Sequence, residues 1–405
     1  MTGMSYRQDF MQSTILQGLR VVDLTRIVAG PYTTRMLADF GAEVIKVQSA
    51  KVATGIESNT TPYFHAWNRN KRSITLDMDY HEAREIFLKL VKISDIVVEN
   101  FSPRVMSNWD LDYATLKKSN ERLIMLSMSG TGQNGPWKNF VAYAPTVQSL
   151  GGLTYLTSYS QDAPMGFGYA YADMVSGLYG AISILAALEH RYRCGQGQYI
   201  DLSEYEAVCT TIGPALIDAC FNQNQIVPKG NDAEQRPAAP YGCYKCSGED
   251  RWCVIAVFTE DEWRSLCGVL GNPAWCEKDN FSSLAGRKKH KEILDRHIGE
   301  WTAGQTAENV VDGLQPAGIA AGVVQNAEDL ANDPQLAAGK FFTSVNHPVW
   351  GEIKIDTYPV KFTNYRPAPW KASPLLGEAN QYVFEELLGM KKTTIQSYIE
   401  QGIIA

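Results

Sequence analysis

The sequence predicts an α/β protein with a parallel sheet covered by helices on both faces. Two observations carry that prediction. Short runs rich in Val, Ile and Leu alternate with segments of helical spacing from Gly18 to Ser127. The first strand, helix and second strand fit into roughly thirty residues, the length of a βαβ unit.

The run LRVVDLT, ending at Thr25, reads as a buried strand entering a turn. Pro31 suits a first helical position, and Thr33 to Phe40 carries apolar residues at helical spacing. Gly41 ends that helix, and Ala42 to Val47 is the second strand. Strands at Ser73–Leu76, Ile96–Glu99 and Leu123–Ser127 alternate with helices at His81–Ser94 and Leu111–Lys118. A long helix, Asp173–Arg193, stops at Gly195, and Tyr199–Leu202 is a further strand. Ser203 can cap the next helix, Glu204–Phe221. Residues 1–221 form the first part of a large domain. Residues 222–239, rich in Asn, Gln, Pro and charge, read as a linker. Residues 240–331 read as a smaller α+β domain. Residues 332–405 return to the large domain, with strands at Phe341–Val345, Glu352–Thr357 and Lys361–Thr363 and a helix ending near Leu388.

Composition narrows the function classes. Apolar residues make up 45% of the 405 and charged residues 20%, a folded globular balance. The 37 basic and 44 acidic residues give a net charge of −7, with no basic footprint for nucleic acid. The N-terminus lacks the apolar core of a signal peptide, and Gly177–Leu188 is too short to span a bilayer. A cytoplasmic protein without a membrane partner is expected. All eight cysteines lie between Cys194 and Cys276. The CxxC at Cys243 and Cys246 lacks a matched second pair, so no metal site is expected.

No GxGxxG follows the first strand, and no Walker loop, HExxH or GxSxG is present. Two features stand out. Ser129–Pro136, SGTGQNGP, is a Gly-rich loop after a strand, either a connecting turn or a close backbone approach to a ligand. Asp173 opens a long apolar helix, either as its N-cap or as a poised carboxylate nucleophile.

Taken together, VVDLTRIVAGPYTTRMLADFGAEVIKV, NRNKRSITLDM, DIVVENFSPRVM, SGTGQNGPW, DMVSGLYGAISILAALEHRYRCGQGQYIDLSEYEAV and PLLGEANQYVFEELLG resemble the class III coenzyme A transferases. That group includes the formyl-CoA, carnitine and bile-acid CoA-transferases and the α-methylacyl-CoA racemase. The resemblance implies a Rossmann-like large domain split in sequence, an inserted smaller α+β domain and an interlocked dimer. It implies transfer of CoA from a donor acyl-CoA, such as succinyl-CoA, to an acceptor acid, benzylsuccinate or another aryl or branched acid. Asp173 occupies the nucleophile position and would pass through an anhydride and an aspartyl-CoA thioester. No permanent cofactor is implied; the CoA thioester is the substrate.

By resemblance, Ile27 and Val28 border the CoA, Leu76, Asp77 and Met78 cradle the adenine, and Asn100, Phe101 and Val105 follow the pantetheine and phosphates. Tyr143 matches a tyrosine near the thioester. Ser49, Asp79 and Asn108 stand where many members have cations, which leaves Lys71, Arg72 and Arg104 as candidates for the phosphates. The glycine-run loop of the formyl-CoA enzyme is replaced by residues 235–242. A racemase would add a His-Asp pair where Tyr143 and Ala144 stand, so transfer is favoured over racemisation. The partner is a second copy or a paralogous subunit, in a homodimer, heterodimer or heterotetramer. The alternative to a catalytic chain is a non-catalytic subunit of such a hetero-oligomer. Tyr155, Tyr159, Tyr169 and Tyr171 are the aromatic residues that could suit an aromatic acid.

Overall fold

The computed structural model describes residues 14–223, 226–228, 230, 237–365 and 369–405. The chain divides into two compact units. One holds the chain up to Thr154, from Gly166 through the helix ending at Asn222, and Gly339–Ala405. The other holds Tyr155–Met165 and Ile226–Ala338.

The first unit is built on a six-stranded parallel sheet of β1 (Arg20–Asp23), β2 (Glu43–Gln48), β3 (Arg72–Thr75), β4 (Ile96–Glu99), β5 (Ile124–Ser129) and β6 (Gln198–Ser203). Their order is β3-β2-β1-β4-β5-β6. The direction of winding reverses between β1 and β4, which opens a crevice outside the carboxyl ends of the strands. Every residue of β4 and β5 is buried, the pattern of a parallel strand covered on both faces.

The connecting helices are α1 (Ala29–Asp39), α2 (Pro62–Asn68), α3 (His81–Lys92), α4 (Arg104–Asn108), α5 (Tyr113–Ser119), α6 (Ala144–Leu150), α7 (Leu153–Leu156), α8 (Tyr171–Cys194), α9 (Glu204–Thr211) and α10 (Gly213–Asn222). In α3, Ala83, Ile86, Phe87, Leu90 and Val91 recur at helical spacing and join Val22, Ile45, Ile74 and Val97 in one core. The single helix expected over Glu204–Phe221 is two, because Pro214 lacks an amide hydrogen and restarts the helix just past Ile212. Lys361–Thr363 is not a strand; Phe362 is anchored there edge-on to Phe40, 6.0 Å between ring centres. β10 (Phe342–His347) and β11 (Gly351–Asp356) form a separate antiparallel hairpin. The chain end closes on β3: the Asp77 N–H donates to Ile403 O (3.0 Å) and Thr75 Oγ1 to Ala405 O (2.7 Å).

Helix α8, with 24 residues, is long and apolar enough to cross a membrane. Its small residues have another use. A Cβ on Gly177 would lie 2.7 Å from Tyr32 Cδ1 and 3.1 Å from Ala29 O; one on Gly180 would lie 2.7 Å from Thr33 Oγ1. Glycine at both positions lets α8 cross α1 in near-backbone contact, and Thr33 Oγ1 donates to the Gly177 carbonyl at 3.0 Å.

Beneath the crevice lies a buried charge cluster. The Lys71 ammonium donates to Asp23 Oδ2 (2.9 Å), Pro31 O (3.0 Å) and Asn68 Oδ1 (2.9 Å), so all three of its N–H bonds are used. Lys46 lies 3.9 Å from the other Asp23 oxygen. Burial raises the Asp23 carboxyl, but Lys46, Lys71 and the Thr25 and Thr34 hydroxyls outweigh it and hold it at about 2. This corrects one expectation: Lys71 is structural, with a fully buried side chain, and is spent on Asp23.

In the second unit, β7 (Tyr241–Lys245), β8 (Trp252–Ala256) and β9 (Ala320–Val323) form an antiparallel sheet. Tyr244, Ile255, Trp263, Phe281, Leu294 and Ile298 fill its core. All eight cysteines are free thiols; Cys243 is exposed and Cys246 buried.

Three substitutions test these contacts through stability. Lys71→Met leaves Asp23 buried with only the more distant Lys46, and is expected to cost about 3 kcal/mol in urea unfolding. Gly177→Ala gains helix propensity but overpacks the crossing, by a typical ~1–3 kcal/mol. Because the obstacles include a backbone oxygen, net destabilisation is expected. Gly299→Ala, at a helical site with nothing within 4 Å, should instead stabilise by up to ~1 kcal/mol.

Candidate active site

The crevice at the strand ends holds two adjoining cavities. The larger, about 540 Å³, is lined by Ile27 and Val28 after β1, Asn100 and Phe101 after β4, Ser129–Thr131 after β5, Tyr143 before α6, Asp173 on α8 and Glu204 after β6. The smaller, about 300 Å³, is lined by Gln48, Ser49 and Lys51 after β2, by Leu76, Asp77, Met78 and Asp79 after β3, and by Trp109. Arg26, Phe101 and Val105 line both.

The turn after β1 is strained. Ile27, a β-branched residue, has φ 66°, a left-handed conformation that side chains of this kind rarely adopt. Asn100 holds it there: its Oδ1 accepts from Arg26 N–H (2.7 Å) and its Nδ2 donates to Arg26 O (2.9 Å). Gly130, at the end of β5, is required for space, since a Cβ there would sit 2.5 Å from Ala142 Cβ. Of the Gly-rich loop, Ser129, Gly130 and Thr131 reach the cavity, and Asp201 pins the loop beyond by accepting from Gln133 N–H (3.0 Å).

Asp173 is the third residue of α8 and not its cap; Ala170 stands at the N-cap position, without a side-chain bond. The Asp173 side chain is buried, and its Oδ2 has no hydrogen-bond partner. Burial pushes its carboxyl up to about 6, against the backbone N–H groups of Ala29 and of Asp173 itself, which favour the charged form. A carboxylate with a free oxygen, facing a cavity and shielded from water, can act as a nucleophile.

Glu204 is the first residue of α9 and is also buried. Burial, and then the charge on Asp173, push its carboxyl up to about 8. The N-terminus of α9 opposes this by less than one pKa unit, ~0.3–1 kcal/mol, so burial wins. Ser129 Oγ is a further buried group without a partner on the same wall.

The cations lie elsewhere than expected. Lys71 is buried on Asp23. Arg72 pairs with Glu43 at 3.2 Å and covers the Tyr382 ring, 4.3 Å from its centre. Neither lines either cavity. Arg104 is exposed on α4, beside Val105 but outside both linings. Instead the smaller cavity has Lys51, which pairs with Asp77 (2.7 Å) and Asp79 (3.2 Å), and the larger has Lys138. Arg26, at the junction, pairs with Glu57. The sequence held a signal for Lys51: the turn after β2 extends two residues past Ser49. Glu204 was masked by its place behind the capping Ser203, where it reads as an ordinary helix start. Tyr155, Tyr159, Tyr169 and Tyr171 are exposed, and none lines the Asp173 cavity. No histidine is among the residues that line it.

The chain is similar to known CoA-transferases along most of its length. The model of "CoA-transferase family III" matches residues 16–380. The chain is 33% identical over 386 residues to a succinyl-CoA:mesaconate CoA-transferase of Haloarcula hispanica, covering 92% of this chain and 96% of that one. It is 29% identical over 398 residues to the beta subunit of a succinyl-CoA–L-malate CoA-transferase of Chloroflexus aurantiacus, covering 96% and 98%. It is 30% identical over 402 residues to the probable CoA-transferase Rv1866 of Mycobacterium tuberculosis, covering 96% of this chain but spanning only 50% of that relative's length. The crystal structure of a CAIB/BAIF family protein from Brucella suis superposes with a TM-score of 0.86 at 30% identity, covering 93% of this chain and 100% of that one. The chain belongs to CoA-transferase family III.

Proposed function

We propose that this CoA-transferase takes CoA from succinyl-CoA and passes it to a dicarboxylic acid, with Asp173 as the nucleophile. The observation that carries the reading is the buried Asp173 carboxyl, with one oxygen unpartnered, in a cavity at the strand ends. The Asp173 carboxylate attacks the succinyl thioester carbonyl. The C–S bond breaks, leaving a mixed anhydride and CoA thiolate. The thiolate attacks the aspartyl carbonyl and releases succinate. The acceptor carboxylate then attacks the aspartyl-CoA thioester, regenerating an anhydride and thiolate. Attack of that thiolate on the acceptor acyl carbonyl gives the new acyl-CoA and the free Asp173 carboxylate. One thioester replaces another, so no net energy input is needed. The protein's task is to exclude water from the anhydride and to offer donors to each oxyanion.

In this reading the adenine end of CoA occupies the cavity of Leu76, Asp77 and Met78, and the acyl end reaches Asp173 past Phe101 and Val105. Tyr143 stands at the mouth of the acyl cavity, and Lys51 replaces Lys71 and Arg72 as a phosphate contact. Lys138 and Arg26 supply positive charge for the distal carboxylate of a dicarboxylic acid. The relatives named for mesaconate and L-malate transfer support that class, and benzylsuccinate, a substituted succinate, falls within it. An assembly of two interlocked chains, identical or paralogous, gives a role to the exposed apolar side chains Leu178, Tyr179, Ile182 and Leu185 of α8.

Two outcomes test the reading. Incubation with succinyl-CoA followed by hydroxylamine should mark Asp173 in a peptide mass spectrum, and Asp173→Ala should lose the mark and on the order of 10⁴-fold or more in rate. Full exchange activity with an unmarked Asp173 would refute it. Lys51→Ala should weaken CoA binding and flatten its salt dependence, whereas Lys71→Met, if folded, should leave that dependence intact.

A further inference from the structure

Glu204 has no part in the steps above, yet it faces the same cavity as Asp173. It reaches that wall because β6 delivers it there. Ser203, the last residue of β6, caps α9 by accepting from Glu206 N–H (3.3 Å). The Tyr205 N–H donates to Gly130 O at 2.9 Å, which ties the start of α9 to the end of β5. Glu204 is thus held between two fixed backbone points, with a side chain 8% exposed. Among the described residues its carboxyl has no hydrogen-bond or ion-pair partner. The other titratable or charged groups on the cavity wall are Arg26, Tyr63, Lys138, Tyr143 and Asp173.

An ionised carboxylate in that position would be a second buried negative charge beside Asp173, with no cation bound to it. Two buried carboxyls on one cavity wall avoid this by carrying a single charge between them. Backbone N–H groups favour the charged form of Asp173 and none favours that of Glu204, so Glu204 keeps the proton. Asp173 is then the ionised member. A neutral carboxylic acid facing a reaction centre is a hydrogen-bond donor of the kind that stabilises a developing oxyanion.

We propose that Glu204 is a further catalytic residue of this site, a neutral acid whose O–H donates a hydrogen bond to the acyl oxygen as negative charge builds on it during attack at or by Asp173. This rests on the assignment of Asp173 as nucleophile. The proton stays on Glu204 throughout, so each step balances as written above. Glu204 also keeps the resting cavity from holding two negative charges, which would repel the acceptor carboxylate.

The experiment uses the full-length protein with succinyl-CoA and a dicarboxylate acceptor. In the wild type, kcat/KM should rise as Asp173 ionises, through about pH 6, and fall as Glu204 ionises, through about pH 8. Glu204→Gln keeps an N–H donor and cannot ionise. It should retain activity within about tenfold and lose the falling limb, while Glu204→Leu should lose ~10²–10³-fold in kcat with little change in KM. Glu99, buried at the end of β4 and itself pushed up by burial to about 7, titrates in wild type and variant alike, so the difference between them reports Glu204. An unchanged falling limb in Glu204→Gln, or Glu204→Leu within threefold of wild type, overturns the proposal. Hydroxylamine marking of Asp173 in the same samples separates the two readings. Asp173 marked with no effect of either variant refutes only the role of Glu204; Asp173 unmarked in an active wild type refutes the nucleophile on which that role rests.

Discussion

The crossing of α1 and α8 is the constraint on which the rest of the site depends. Both helices start at the crevice, and the start of α1 meets the second and third turns of α8 because Gly177 and Gly180 remove the side chains that would hold them apart. That contact puts Asp173 beside the Ala29 N–H, on one cavity wall with the residues that follow β1 and β5. A Cβ on Gly180 would also lie 3.2 Å from Leu126 Cδ2, so the same glycine seats α8 on the sheet. The strained Ile27 turn, clamped by Asn100, completes the floor between β1 and β4. Such strain persists only where the surroundings over-determine it, and here a two-point side-chain clamp does so.

Electrostatics divides the crevice into two regions with different rules. Under the floor, Asp23 is fully paired: Lys71, Lys46 and two hydroxyls surround it, and its charge is stable. On the cavity wall, Asp173 and Glu204 have no bound cation, and burial lifts both. The same residue type is therefore inert in one place and poised in the other, and the difference is partners rather than depth. Satisfying a carboxylate completely makes it structural; leaving one buried oxygen without a partner on a cavity wall leaves it available.

The sheet was legible because its strands are buried on both faces and read as unbroken apolar runs, and because the helices between them keep a 3.6-residue period. The Glu204–Phe221 stretch misled because apolar spacing continues through Pro214, and spacing does not register a missing amide hydrogen. Asp173 was visible, but its alternative role as an N-cap was excluded only by the position of Ala170. The cations were the least legible part. Lys71 and Arg72 stand just before the expected strand and look available in sequence. Yet Lys71 turns inward toward Asp23, nearly fifty residues away along the chain, and Arg72 turns toward Glu43 and Tyr382. Which way a lysine points depends on the partner the fold brings to it, and no local pattern records that.

Those misplacements bear on how an acidic chain binds an anionic substrate. A net charge of −7 says little, because the local field decides. The positive groups among the lining residues of the two cavities are Lys51, Arg26 and Lys138 with Lys46, and of these Lys51, Arg26 and Lys138 are exposed to solvent. Lys51 is held by Asp77 and Asp79, and Arg26 by Glu57, so an incoming phosphate or carboxylate must compete with an acid already in place. Such exchange costs little where the acid is exposed, as at Asp79, since a surface ion pair contributes about 0–1 kcal/mol. It would cost far more at a buried pair such as Asp23 and Lys71. The separation of exposed, exchangeable cations from buried, committed ones is what leaves the ligand-facing charge free to bind while the floor beneath it stays fixed.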